Sequence, residues 1–116
     1  MITHASIIRD IIKHCDYSSY LELGIERGET FNFVCQVVDK SIGVDLVMKA
    51  KSERGTLLSM STDGFFKQNK ETFDAIFIDA SHNIDFVKRD FLNSIKVLNR
   101  YGTIFLHDTD PAKKSF

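Results

Sequence analysis

Apolar and polar positions along the chain follow two periods, one typical of helices and one typical of strands. Isoleucines recur at helical spacing between positions 7 and 12, after Thr3, which can cap a helix, so residues 4–15 are predicted to form an amphipathic helix. Short apolar runs predict five strands, and helical spacing predicts the segments between them. The predicted strands are 19–23, 41–45, 56–60, 73–79 and 103–106, and the later helical segments are 30–38, 63–69 and 83–98.

The fourth run, from Phe73 to Asp79, is apolar over most of its length. This pattern is typical of a strand buried on both faces, and we expect it to be the central strand. Asn83 can cap the helix that follows, which should end by Tyr101-Gly102. Its apolar stripe is expected to face the core and comprises Phe86, Val87, Phe91, Ile95 and Leu98.

Strands that alternate with helices predict an α/β fold, a mostly parallel sheet in a single domain over residues 1–116. In such sheets, ligands bind beyond the carboxyl ends of the strands, where the winding reverses. Acidic residues lie at the ends of four predicted strands and should converge at this edge. They are Glu22, Asp45, Asp79 and Asp108.

The composition of the chain reduces the number of function classes to consider. The chain has 15 basic and 16 acidic residues and no Lys/Arg run, which argues against nucleic acid as the main partner. No apolar run approaches the ~20 residues of a membrane helix, and the amino terminus does not resemble a signal peptide, so the expected compartment is the cytoplasm. Cys15 and Cys35 are far apart in helix-like segments and are expected to be buried free thiols.

The most informative segment runs from Tyr20 to Gly28 and reads Tyr-Leu-Glu-Leu-Gly-Ile-Glu-Arg-Gly. Glu22 lies near the end of the first strand, and Gly24 and Gly28 allow the turn to bring backbone close to a bound ligand. The spacing is E-x-G-x-x-x-G and not the G-x-G-x-x-G of dinucleotide-binding proteins. It therefore predicts a nucleotide-like ligand and disfavours a pyrophosphate.

Asp45 is expected to bind the ribose of that ligand. It follows Gly24 by 21 positions, close to the ~20-residue offset at which an acid after the second strand reaches ribose hydroxyls. The alternative is a structural acid that holds the next turn.

The second candidate site pairs Ile78-Asp79-Ala80-Ser81-His82 with Phe105-Leu106-His107-Asp108-Thr109-Asp110. If the fourth and fifth strands are neighbours, Asp79 and Asp108 lie close together, and two like charges need a cation or a proton to coexist. Mg²⁺ suits such oxygen ligands and keeps waters that a substrate hydroxyl can displace. In the alternative interpretation both acids hold loop amides and His82 caps a helix.

These runs, with Gly-Thr-Ile-Phe-Leu-His-Asp-Thr at the fifth strand, resemble class I methyltransferases that use S-adenosylmethionine (SAM). Within that class they are similar to methyltransferase family 24, the Mg²⁺-dependent small-molecule O-methyltransferases that include the macrocin and mycinamicin sugar enzymes. The resemblance covers about residues 19–110 and implies a Rossmann-like three-layer sandwich. It also implies an enzyme that transfers a methyl group from SAM to a sugar or phenol-like hydroxyl.

By the same resemblance, Asp79 and Asp108 are metal ligands and His82 is the base. His107 stands where the sugar enzymes carry a second acid, so the third ligand is His107, Thr109 or Asp110.

Asp63 matches the position that meets the adenine amino group in these enzymes. The alternative for Asp63 is a turn-forming aspartate before Gly64.

The family's sheet usually continues past the fifth strand with two more strands, so the resemblance implies a fold truncated at that point. We therefore expect an exposed sheet edge and self-association through it. Two other functions stay open from the sequence: a SAM-binding or adenosine-binding module without turnover, such as a truncated inactive methyltransferase, and a nicotinamide-dependent oxidoreductase, whose fingerprint is absent.

Overall fold

The computed structural model describes residues 3–80 and 84–108, apart from the side chains of Ala80 and Asp108. This part of the chain forms four helices and five strands. The helices are α1 (His4–Cys15), α2 (Glu29–Cys35), α3 (Thr62–Gln68) and α4 (Ile84–Val97). The strands are β1 (Ser19–Leu23), β2 (Lys40–Asp45), β3 (Thr56–Ser59), β4 (Phe73–Ala80) and β5 (Leu98–Asp108).

The five strands form one sheet in the order β3-β2-β1-β4-β5, and all four strand pairs are parallel. The predicted parallel sheet is therefore confirmed. The expectation that β4 is the central strand is wrong, because β1 occupies the middle and β4 lies between β1 and β5. Both strands are buried, but Glu22 interrupts the apolar run of β1, so the sequence did not indicate that β1 is the central strand.

Alternating side chains of the interior strands form a separate core on each face of the sheet. On one face, Tyr20 and Phe77 pack with α1 and α2. On the other face, Leu21 and Ile76 pack with Phe65 of α3 and with residues next to the end of α4. The result is the expected three-layer arrangement of helices, sheet and helices.

Local sequence signals set most of the element boundaries. Thr3 forms a capping box with Ser6, so α1 covers residues 4–15 as predicted. Helix α2 begins directly after Gly28 and ends at Cys35, three residues before the predicted end. Strand β5 begins at Leu98, five residues earlier than predicted, because the chain passes from α4 into the strand without a loop.

The apolar stripe of α4 does not face the core as expected. Phe86, Phe91 and Ile95 are 49%, 40% and 48% exposed, and Ser94 is the buried residue of this helix. Val87 is half-buried, and Leu98 belongs to β5, where it packs on the core. Helical spacing identifies an apolar face but does not say how much of that face other elements cover.

Both cysteines are free thiols, as expected. Cys35 is buried, but the prediction that Cys15 is buried is wrong, because it lies exposed at the last position of α1. Among residues 3–80 and 84–108, none of the helices has the length and apolar character needed to span a bilayer.

Candidate functional site

The carboxyl ends of β1, β2, β4 and β5 meet at one edge of the sheet, as predicted. Glu22 pairs in register with Phe77, and Asp79 pairs with His107. These positions project from the face that packs on α1 and α2, because Tyr20 and Phe77 do so and alternate residues share a face. A cavity at this edge is lined by Glu22, Asp79 and His107 together with the turn that contains Gly28.

The turn after β1 requires its two glycines. Gly24 and Gly28 have φ of 89° and 86°, a region that favours glycine. A Cβ at Gly24 would lie 3.1 Å from the carbonyl oxygen of Asp79, and one at Gly28 would lie 2.7 Å from Ala50 Cβ. Glycine is therefore needed here for the backbone conformation and for close packing, before any ligand is considered.

Asp45 connects the end of β2 to this turn. Its Oδ2 accepts hydrogen bonds from the backbone N–H of Ile25 at 2.9 Å and of Glu26 at 3.1 Å. The structural alternative placed this acid on the turn that follows β2, but it holds the turn that follows β1. The carboxylate thereby fixes the glycine turn against the edge of the sheet, and its role toward ribose stays a prediction.

A second cavity of about 290 Å³ lies on the other side of Gly24. Asp45 and Asp63 contribute carboxylates to its wall, and Leu46 and Phe86 contribute apolar surface. A cleft with apolar walls and a few polar groups suits a flat heterocycle with an attached sugar.

Asp63 belongs to this second cavity and is ion-paired. Arg89 Nη1 donates to Asp63 Oδ2 at 2.8 Å. The alternative, a turn-forming Asp63 before Gly64, is wrong, because Asp63 lies within α3. The side chain that accepts the Gly64 N–H, at 3.0 Å, is that of the cap residue Ser61. The pair with Arg89 joins α3 to α4 at the rim of the cavity, and the proposed adenine contact of Asp63 stays a prediction.

Glu22 is almost fully buried, with 1% of its surface exposed. The Tyr20 hydroxyl donates to Glu22 Oε1 at 2.5 Å. Burial raises the pKa of Glu22 to about 8, the hydrogen bond from Tyr20 opposes this rise, and the charge of Asp79 adds to it. Glu22 is therefore largely protonated at neutral pH, which the sequence did not indicate.

Asp79 lies at the junction of the two cavities and lines both. Within residues 3–80 and 84–108, its buried Oδ1 has no hydrogen-bond partner. Burial raises the pKa of Asp79 to about 6, the charges of Glu26 and Asp45 add to the rise, and His4 opposes it. A buried carboxylate oxygen without a donor is a candidate ligand for a cation or a substrate hydroxyl.

The sequence missed one residue of this edge, His4 at the start of α1. Its ring stacks on His107 with a centroid distance of 4.4 Å and an interplanar angle of 18°. Its Nε2 is 3.1 Å from Thr30 Oγ1. The direction of α1 was an available signal, because a helix that leads directly into a parallel strand runs back along it and begins near the carboxyl edge.

The described residues supply only part of the predicted metal site. Within them, no group of three His, Cys, Asp or Glu side chains is arranged to hold a metal ion. His82, Thr109 and Asp110 lie outside the described residues, as does the side chain of Asp108, whose backbone pairs with Ala80. The magnesium site and the role of His82 as a base therefore stay predictions.

The chain matches a family model described as a methyltransferase domain over residues 21–109. This match covers more than half of the chain and includes the glycine turn, Asp45, Asp63 and the segments that contain His82 and His107. No curated protein matches the chain.

Three solved structures with the same fold share 15–16% sequence identity with the chain. An O-methyltransferase from Bacillus cereus in complex with SAH is 15% identical (TM-score 0.72) over 90% of this chain and 56% of that one. A putative caffeoyl-CoA O-methyltransferase from Staphylococcus aureus is 16% identical (TM-score 0.72) over 91% and 58%. The N-methyltransferase NodS from Bradyrhizobium japonicum, in complex with S-adenosyl-l-homocysteine, is 15% identical (TM-score 0.69) over 89% and 58%.

This chain therefore spans less than three fifths of these proteins. At such low identity the likeness shows the fold alone. The match of the family model shows more: the chain belongs to this methyltransferase family, with the Rossmann-like sheet of class I SAM-dependent methyltransferases.

Proposed function

We propose that the protein binds SAM and transfers its methyl group to a hydroxyl of a small molecule. The observation that carries the proposal is the convergence of the glycine turn, Asp45 and Asp79 on one edge of the sheet, with a cavity on each side of Gly24. The similarity to O-methyltransferase structures supports an oxygen acceptor. NodS is an N-methyltransferase, so an amine acceptor is the alternative that a turnover assay would distinguish.

The adenosine part of SAM is assigned to the second cavity. There Asp45 accepts hydrogen bonds from ribose hydroxyls, and Asp63 meets the adenine amino group on the wall formed with Leu46. Because Gly24 and Gly28 carry no side chains, the ligand can approach the protein backbone of the turn between the cavities.

The charge of the site fits a cationic cofactor. Glu26, Glu29 and Asp79 line the first cavity, with Arg27 as its one Lys or Arg among the described residues, and Glu22 adds a largely neutral carboxyl group. Acidic walls attract the sulfonium and ammonium groups of SAM, and a partly buried site screens this attraction less than open water does.

In the reaction, the acceptor oxygen bonds to the methyl carbon as the carbon–sulfur bond breaks, and the hydroxyl proton leaves to a base. The products are a methyl ether and S-adenosylhomocysteine (SAH). Asp79 positions the hydroxyl, and His82 takes the proton, since imidazole is the side-chain base whose ordinary titration range lies nearest to neutral pH. A bound Mg²⁺, held by Asp79, Asp108 and a third ligand such as His107, would lower the pKa of that hydroxyl and orient it.

Calorimetric titration tests the cofactor assignment. SAM and SAH should bind and NAD should not. Asp45→Ala should weaken SAH binding about a hundredfold, because it removes charge-assisted hydrogen bonds to ribose and to the turn, each worth roughly 1.5–3 kcal/mol. The matched control is Asp39→Ala, an exposed acid just before β2, which should leave SAH affinity unchanged. Binding of NAD, or equal SAH affinity in both variants, would contradict the assignment.

We also propose that the 116-residue chain self-associates through β5. Among the described residues, β5 pairs with β4 alone, so the N–H and C=O groups on its other edge have no strand partner. Light scattering after size exclusion should show oligomers that increase with concentration. Tyr101→Lys, at an 82% exposed position of β5, should shift the population toward monomer, whereas Val47→Lys, 63% exposed after β2, should not. A stable wild-type monomer at high concentration would overturn this proposal.

A further inference from the structure

The stacked rings of His4 and His107 separate two clefts of opposite character. On one side is the acidic cavity that contains Asp79. On the other side is a cleft of about 180 Å³ between α1 and β5, lined by both imidazoles and otherwise by apolar residues. The apolar side chains on this face of the sheet are those of Ile7, Ile8, Phe77 and Phe105, and Leu106 also borders the cleft.

The imidazole pair forms a flat wall that is held in place from several sides. The two rings are nearly parallel at 4.4 Å, and the ring of Phe77 lies 5.6 Å from that of His4. The Thr30 hydroxyl lies 3.1 Å from His4 Nε2 and holds the orientation of the His4 ring. A flat ligand can therefore meet a flat surface without rearrangement of the protein.

The size and lining of the cleft favour an aromatic ring over a sugar. A cavity of about 150 Å³ lined by aliphatic and aromatic side chains is large enough to bind benzene. Aromatic rings also pack well on other rings and on branched aliphatic side chains. A sugar would instead bury several hydroxyls against Ile7, Ile8 and Phe105, where they lose hydrogen bonds to water without replacement.

We propose that this cleft binds the aromatic ring of a phenolic acceptor, with its hydroxyl directed past His107 toward Asp79. The proposal rests on the proposed methyl transfer and selects the phenol from the acceptors that the sequence left open. Asp79 and His107 are register partners on neighbouring strands, so a ring in the cleft has its substituent at the reacting end of the site. His4 and Ile7 of α1 are then specificity residues of the acceptor site.

The test compares two diols that differ in aromaticity, catechol and trans-cyclohexane-1,2-diol, by NMR titration of the SAH-saturated protein. Catechol should bind at least tenfold more tightly, since its flat ring can pack on the imidazole wall and on the apolar side chains of the cleft. Ile7→Asn should weaken catechol binding about tenfold through lost apolar contact. The matched control is Ile95→Asn on α4, because Ile7 is 46% and Ile95 48% exposed and both lie on helices.

A second pair of variants guards against a folding defect in α1. Phe105→Leu in the cleft should weaken catechol binding, whereas Phe66→Leu on α3 should not, and both phenylalanines are half-buried. Equal affinity for both diols, or catechol binding that survives both cleft variants, would overturn the proposal. SAH affinity is measured in every variant. If SAH does not bind the wild-type protein, the proposed function is wrong. If SAH binds normally but the two diols bind equally well, only the acceptor assignment is wrong.

Discussion

Replacing Glu22 by glutamine is expected to stabilise the protein at pH 8 and to remove much of the dependence of its stability on pH. Glu22 has a pKa of about 8 in the folded protein, against 4.5 in its ordinary state. Below pH 4.5 both the folded and the unfolded states are protonated at this site. Between 4.5 and 8 the unfolded chain ionises first, so the free energy of unfolding falls as pH rises, and above 8 it falls no further.

The size of this effect follows from the pKa difference. Each unit corresponds to ~1.4 kcal/mol, so the full loss is roughly 4 to 5 kcal/mol, a large part of the 5–15 kcal/mol that is typical of a domain. Glutamine is neutral at every pH and can still accept the hydrogen bond from Tyr20 through its amide oxygen. The variant should therefore retain at pH 8 the stability that the wild-type protein has only in acid.

Urea denaturation between pH 6.5 and 8 measures this contribution with little interference, because Asp79, with a pKa of about 6, has mostly ionised by then. In that window the wild-type protein should lose ~2 kcal/mol and Glu22→Gln almost nothing. The exposed Glu53→Gln is the control and should follow the wild type. Parallel pH profiles for the wild type and Glu22→Gln would show that Glu22 is ionised in the folded state at neutral pH.

Replacing Asp79 by asparagine is expected to abolish metal binding and most of the methyl transfer. The buried Oδ1 of Asp79 has no hydrogen-bond donor in the part of the chain that the structure describes, and its carboxylate contributes charge to both cavities. Asparagine keeps the shape but removes the charge that attracts a cation and orients a hydroxyl. Turnover with an acceptor that the wild type methylates should fall by roughly 10²–10⁴, the range for a positioned acid–base group.

Titration of the SAH-saturated protein with Mg²⁺ gives a readout that does not depend on the acceptor. The wild type should release binding heat and Asp79→Asn should not, while the exposed Asp10→Asn on α1 should behave as the wild type. EDTA should slow turnover, and His82→Ala should reduce it without removing the Mg²⁺ signal. Full activity in EDTA would exclude the metal, and full activity of both Asp79→Asn and His82→Ala would exclude their proposed roles.

Local chemistry explains why much of the fold was predictable. The predictable features were the cap at Thr3, the glycines after β1 and the alternation of strands with helical segments. These features depend on neighbours in the sequence, and they gave the boundaries of α1 and β1 and the parallel sheet. The acids at strand ends were also predictable, because parallel strands direct them to the same edge.

What the sequence missed depends on contacts between distant residues. The pair of Asp63 with Arg89 joins α3 to α4, and the stack of His4 on His107 joins the first helix to the last strand. The protonated state of Glu22 requires a burial that composition cannot reveal. The exposure of Phe91 and Ile95 depends on what packs against α4, and periodicity carries no information about that.

The two amide hydrogen bonds that Asp45 accepts from Ile25 and Glu26 have a consequence for the kinetics of ligand capture. Because the loop is already fastened in its receptive shape, little conformational entropy remains to be lost at the moment of encounter. Association should then be a single fast step whose rate rises linearly with ligand concentration, without the plateau that a slow rearrangement would impose.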